Sequence, residues 1–250
     1  MNHLLKVIRF YKNLKTSDAL AAENYLDNLS ILNNPIKTIT AKDFHFLYFN
    51  EHKIYEDCCH CFNNIYNYPE VDYIPIKIKD RHFFIFPSIN QIFKNHLLIN
   101  DFIHLNNTCL NHIYYMKDIL KLFTSSMILY SNTNHNHYEI GVIESPIFHK
   151  DATLIKDEIY KVDWYLPTFL IKDKDIETIT ENYHTLLKND KDNNKILILL
   201  NRNNKFYLYI IFNKVSLTVY EALGIFIVNN ITSPIHKELE SAIKKIKMDV

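Results

Sequence analysis

The chain has 250 residues, 48% apolar and 22% charged, which is long enough to bury a core and excludes the disordered and fibrous classes. Lysine plus arginine number 28 and so do the acids, a formal charge of zero. Such a chain lacks the basic footprint that nucleic-acid backbones require, so no nucleic-acid partner is expected. Residues 1–15 mix cations with apolar residues and carry no small-residue cleavage site, so they do not read as a signal peptide. Residues 2–33 predict two amphipathic helices, with Leu4, Leu5, Ile8 and Tyr11 on one stripe and Ser17 capping the second. Pro35 closes this segment, giving an expected division into 1–36 and 37–250. Residues 37–56 alternate around Phe44, Phe46 and Tyr48 and predict strands, and 58–68 predict an Asn-rich knuckle.

Short apolar strands are expected at 82–87 and 96–99, a helix over 108–124 and a strand at 127–130. A polar turn, 131–134, then leads into 135–143. In the second half the spacing predicts a helix over 173–188, strands at 196–200 and 206–212 joined by a turn at 201–204, one apolar segment at 219–229 and a terminal helix at 234–247. Helices and strands interleave without a strict βαβ rhythm, so the predicted class is α+β. No apolar run reaches the roughly 18–20 residues of a membrane-spanning helix, and the expectation is a cytoplasmic protein with no membrane partner.

Only two glycines occur, Gly141 and Gly224, so neither GxGxxG nor a Walker-type phosphate loop can be written. Cys58 and Cys61 form C-x-x-C, a spacing shared by zinc ligands, redox dithiols and buried structural pairs. Glu56 and Asp57 precede the pair and oppose a reactive thiolate. His135 and His137 form H-x-H, and on an extended segment His135, His137 and Glu139 share one face.

The order of C-x-x-C-x-x-N (Cys58 to Asn64), the phrase FPSINQIFKNHLLINDFIHLN with His104 near its end, a helix, a strand, N-H-x-H and finally YEALGIFIVNN resembles the histidine-triad superfamily. It is similar in particular to the branch of galactose-1-phosphate uridylyltransferases, GDP-hexose phosphorylases and diadenosine tetraphosphate phosphorylases. The resemblance implies an antiparallel sheet with flanking helices, either one unit that pairs with a second copy or two related halves in one chain. It also implies zinc on Cys58, Cys61, His104 and His135, a closed Cys₂His₂ set of the structural kind. The nucleophile it implies is His137, which would attack the α-phosphorus of a nucleotide or nucleotide-sugar and carry it as a covalent adduct. Ser131, Asn132 and Thr133 fall where that branch binds the nucleotide, and the protein would be a monomer or homodimer.

This chain departs from the pattern at three places. Glu139 stands where the branch has Gln or His; a carboxylate roughly 7 Å along a strand from a phosphate charge repels it by about 2 kcal/mol at an effective dielectric near 20. The segment 131–134 is short and lacks glycine, and Asn136 separates the two histidines. Two functional expectations follow. One is a nucleotidyltransferase or phosphorylase acting on a nucleoside diphosphate sugar or a dinucleoside polyphosphate. The other is a catalytically silent, zinc-stabilised nucleotide- or partner-binding relative.

Overall fold

The computed structural model describes residues 35, 37–41, 44–49, 74–79, 81–88, 92–101, 112–121, 127–132, 136–142, 144–188, 195–213 and 217–229. The two N-terminal helices, the cysteine knuckle and the terminal helix expected from the sequence lie outside the described residues.

In chain order the strands are β1 (Lys37–Ala41), β2 (Phe44–Phe49), β3 (Ile74–Ile78), β4 (Arg81–Pro87), β5 (Lys94–Asp101), β6 (Met127–Asn132), β7 (Asn136–Val142), β8 (Ala152–Lys156), β9 (Ile159–Val162), β10 (Thr168–Asp173), β11 (Lys195–Arg202), β12 (Lys205–Phe212) and β13 (Ile225–Asn229). Among the described residues the α-helices are α1 (His112–Leu120), α2 (Ile176–Leu187) and the single turn α3 (Val219–Ala222). Ten strands make one antiparallel sheet in the order β3-β4-β5-β7-β6-β11-β12-β10-β9-β8. A small sheet, β1-β2-β13, lies apart from it, with β13 parallel to β2.

Read inward from either edge, the large sheet repeats one connectivity: an outer hairpin, a third strand, a helix, then two more strands paired in reverse order. The halves are β3–β7 with α1 and β8–β12 with α2, joined where β6 pairs with β11. Both arrangements implied by the resemblance were open; the chain has the one with two related halves.

Alternation along the strands decides which face is covered. Phe83, Ile85, Ile99, Ile128, Tyr138 and Ile140 cluster with Ile113, Met116 and Ile119 of α1 and with Ile176 and Ile179 of α2. Both helices therefore lie on one face. The other face carries Ile196, Ile198, Leu200 and Tyr209, packed with Ile92, Phe93, Ile147, Leu223 and Ile225. The central strand β11 is buried on both faces, which is why its sequence KILILL is continuously apolar rather than alternating.

With glycine so rare, asparagines and other residues occupy the left-handed backbone positions. Asn203 and Asn204, with φ of 52° and 58°, form the two-residue hairpin loop between Arg202 and Lys205, the geometry that right-twisted strands favour. Asp157 and Glu158 (44° and 62°) do the same between β8 and β9. That hairpin, with β10, was not anticipated from the sequence, nor was β3. The segment read as one apolar run at 219–229 is α3 followed by β13, divided at Gly224.

Candidate active site

Strand β7 runs between β5 and β6, and its register defines the site. Position 137 pairs with Asn100 on β5 and with Ser131 on β6. Tyr138 and Ile140 go to the helix-covered face, so 137, 139 and 141 lie on the opposite one. Position 137 thus lies on an inner strand of the first half, on the face away from α1 and in register with the buried Asn100. Ser131 and Asn132 are not in a turn: β6 continues through both, because Ser131 is paired on one side with Ile196 and on the other with His137. Thr133 and His135 lie outside the described residues, as do Cys58, Cys61 and His104. Among the described residues no group of three or more His, Cys, Asp or Glu side chains is placed to hold a metal.

Glu139 is 5% exposed, and a carboxylate taken from water needs compensating partners. Two donors converge on its Oε2: His96 Nε2 of β5 at 3.0 Å and the Tyr220 hydroxyl of α3 at 2.9 Å. The His96 imidazole is fully buried. Phe93 packs against both donors, its ring centroid 4.7 Å from that of His96 and 5.5 Å from that of Tyr220. Neither His96 nor Tyr220 was singled out by sequence reasoning, although both lie in the segments that carry the resemblance. The signal available was the acid itself, placed on a strand face bound for burial and so requiring partners from elsewhere in the chain.

Local sequence fixes Tyr220. Thr218 and Glu221 form a reciprocal capping box at the start of α3, with Glu221 N–H donating to Thr218 Oγ1 at 3.1 Å and Thr218 N–H to Glu221 Oε2 at 3.0 Å. At the other end three side chains donate to backbone carbonyls: the Tyr165 hydroxyl to Glu221, Trp164 Nε1 to Ala222 at 3.0 Å, and Ser145 Oγ to Leu223 at 2.8 Å. Burial pushes the Tyr165 hydroxyl well above the usual tyrosine range. Trp164 and Tyr165 are therefore packing and capping residues. Gly224, at φ 78°, ends the turn, its N–H donating to Glu221 O at 2.8 Å. Gly224→Ala is expected to cost about 1 kcal/mol, because a Cβ crowds the backbone in the left-handed region. Chemical denaturation of the variant checks this, and an unchanged midpoint would contradict it.

Phe93 also walls a cavity of about 300 Å³ between the small sheet and the far end of β7, where Val142, Thr40, His45 and Glu144 line it. Burial holds the His45 imidazole below its usual range, against the opposing pull of Glu144.

The second half repeats the connectivity with other residues. The strand in the place of β7 is β12, which reads KFYLYIIF and has neither an imidazole nor a carboxylate. Its Tyr209 pairs with Leu170 and Ile198 and lies in an apolar cluster.

No protein-family model and no curated protein sequence matches the chain. Solved structures do. Yeast Ap4A phosphorylase Apa2 in complex with AMP superposes with a TM-score of 0.55 at 11% identity, covering 94% of this chain and 91% of that one. The same enzyme in complex with Ap4A gives 0.57 at 9% identity, over 96% and 95%. Among the described residues no helix is long and apolar enough to cross a membrane. The likeness is one of fold: over nearly its whole length this α+β chain shares the fold of yeast Ap4A phosphorylase, a protein of the branch that its sequence resembles.

Proposed function

We propose that the chain is a nucleotidyltransferase or phosphorylase that splits a dinucleoside polyphosphate or a nucleoside diphosphate sugar through His137. The observation that carries this reading is the place of His137: an inner strand, the face away from the helices, in register with a buried Asn100 and with Ser131. Yeast Ap4A phosphorylase, solved with AMP and with Ap4A, shares the fold. In the first step a neutral imidazole nitrogen of His137 bonds to the α-phosphorus and the bond to the leaving polyphosphate or sugar phosphate breaks. An acceptor phosphate oxygen then attacks the same phosphorus, and the imidazole leaves. Free imidazole titrates near 6.5, so it is largely neutral at pH 7 and remains a competent leaving group. Ser131, Asn132 and Thr133, at the end of β6 and just beyond it, would bind the nucleotide phosphates.

Zinc on Cys58, Cys61, His104 and His135 belongs to the same reading. It would brace the residue two positions before the nucleophile, a structural contribution. Metal analysis of purified protein should find zinc in stoichiometric amount, with loss of thermal stability on chelation.

Incubation with labelled Ap4A and with nucleoside diphosphate sugars should give an acid-labile adduct that maps to His137. His137→Ala should abolish both adduct and turnover while leaving the fold intact by circular dichroism. Labelling that persists in the variant would sink the assignment. The second reading, a silent nucleotide-binding relative, draws on Glu139, which departs from the branch pattern and is held by internal partners. It predicts an upward thermal shift with nucleotide by mass action and no turnover.

A further inference from the structure

We propose that His96 and Tyr220 are positioning residues that clamp Glu139 and so hold strand β7 in place under His137; the proposal rests on the assignment of His137 as nucleophile. Glu139 lies two residues beyond position 137, roughly 7 Å along the strand and on the same face. Its Oε2 accepts from donors 43 residues earlier and 81 residues later in the chain. One oxygen thus ties the inner strand β7 to its neighbour β5 and to α3, an element outside the large sheet.

Each donor is itself immobilised. The His96 ring packs against Phe93 and meets the Tyr220 ring edge-on, with an interplanar angle of 90°. Tyr220 sits on a turn held at its start by the Thr218–Glu221 box and at its end by Ser145, Trp164 and Tyr165. Asn213 brackets the approach to that turn, bonding Leu217 through both its amide atoms at 2.7 and 3.2 Å. The strand that takes the place of β7 in the second half, β12, has no carboxylate along its length, so the connectivity itself does not demand one there. A buried polar cluster contributes less to stability than well-packed apolar residues, but it defines one geometry. The half that carries His137 is the half that has it. Adduct formation needs the imidazole aligned with the α-phosphorus, and small misplacements lower such rates steeply.

Tyr220→Phe removes one hydroxyl and keeps the ring. In single-turnover labelling with Ap4A it should slow adduct formation about tenfold, with KM for Ap4A within about twofold of wild type. Glu139→Leu should slow the step at least as much. Adding Tyr220→Phe to Glu139→Leu should change it by less than about twofold, because the hydroxyl then has no carboxylate to hold. Glu139→Gln, which keeps an acceptor oxygen, should recover part of the rate. Multiplying effects in the double variant, or a Tyr220→Phe rate within twofold of wild type, would overturn the clamp. Hydrogen exchange separates this failure from failure of the functional assignment. The β7 amides should exchange about tenfold faster in Tyr220→Phe while those of β12 stay unchanged. Equal β7 exchange in the two proteins refutes the clamp even if neither forms an adduct.

Discussion

Replacing His96 by leucine is expected to destabilise the folded chain by about 3 kcal/mol at pH 7, among the largest effects any single substitution here should have. The side chain is fully buried, and its Nε2 donates to a carboxylate that is itself almost out of contact with water. Leucine has similar bulk, so the cost arises from the buried acid, which loses a donor while, of these two partners, Tyr220 remains on Oε2. Glu139→Leu should cost a comparable amount for the mirrored reason. The two costs should not add. With both residues apolar neither is left facing a missing partner, and what remains is the loss of the Tyr220 bond to Oε2, a penalty of about 1 kcal/mol. Equilibrium urea unfolding of wild type, both single variants and the double variant gives the coupling directly. Strict additivity would mean that the 3.0 Å contact carries no net interaction.

Acid should weaken the fold through a different histidine. His112 opens α1 with its Nδ1 3.1 Å from the Tyr138 hydroxyl. Burial first, and the Arg81 charge second, lower its pKa from 6.5 to about 4. The unfolded chain therefore takes up a proton on this residue near pH 6.5, whereas the folded chain does so only near pH 4. Between those values the unfolded state binds more protons, so stability falls as pH drops through the window and is unaffected by this group above it. The full loss is about 3 kcal/mol, reached near pH 4. Carboxylates also titrate toward the lower end, so the informative quantity is the difference between wild type and His112→Gln, which retains a hydrogen-bonding side chain and does not titrate. That difference should grow in favour of the variant from pH 6.5 to pH 4. A difference that stays flat with pH would show that His112 takes up its proton equally in both states.

Helices and hairpins with a strong internal period were legible in the sequence. The 3.6-residue spacing of Ile113, Met116 and Ile119 marks α1, and the Asn203–Asn204 turn between two apolar runs marks the β11–β12 hairpin. The strands that escaped are those whose environment removes the pattern. Every residue of β8 is exposed at the sheet's edge, leaving no alternation to detect. Its turn into β9 uses Asp157 and Glu158 where glycine or asparagine would have been a signal. Pro75 argues against a strand at 74–78, yet β3 is the opposite edge, where a missing N–H is tolerated. Thr218, Glu221 and Gly224 together spelled out a capped turn inside 219–229, a signal that an apolar count over the segment hides. Of the candidate site, the shared face of His137 and Glu139 follows from a two-residue period. The meeting of His96, Glu139 and Tyr220 does not, because no local rule relates positions 43 and 81 residues apart.

The two halves of the large sheet share a connectivity but not a chemistry of side chains. β7 carries His137 and Glu139, whereas β12, which takes its place in the repeated connectivity, reads KFYLYIIF and has no titratable imidazole or acid. Duplication has thus supplied the scaffold twice, while an imidazole and a carboxylate share one inner strand in the first half alone.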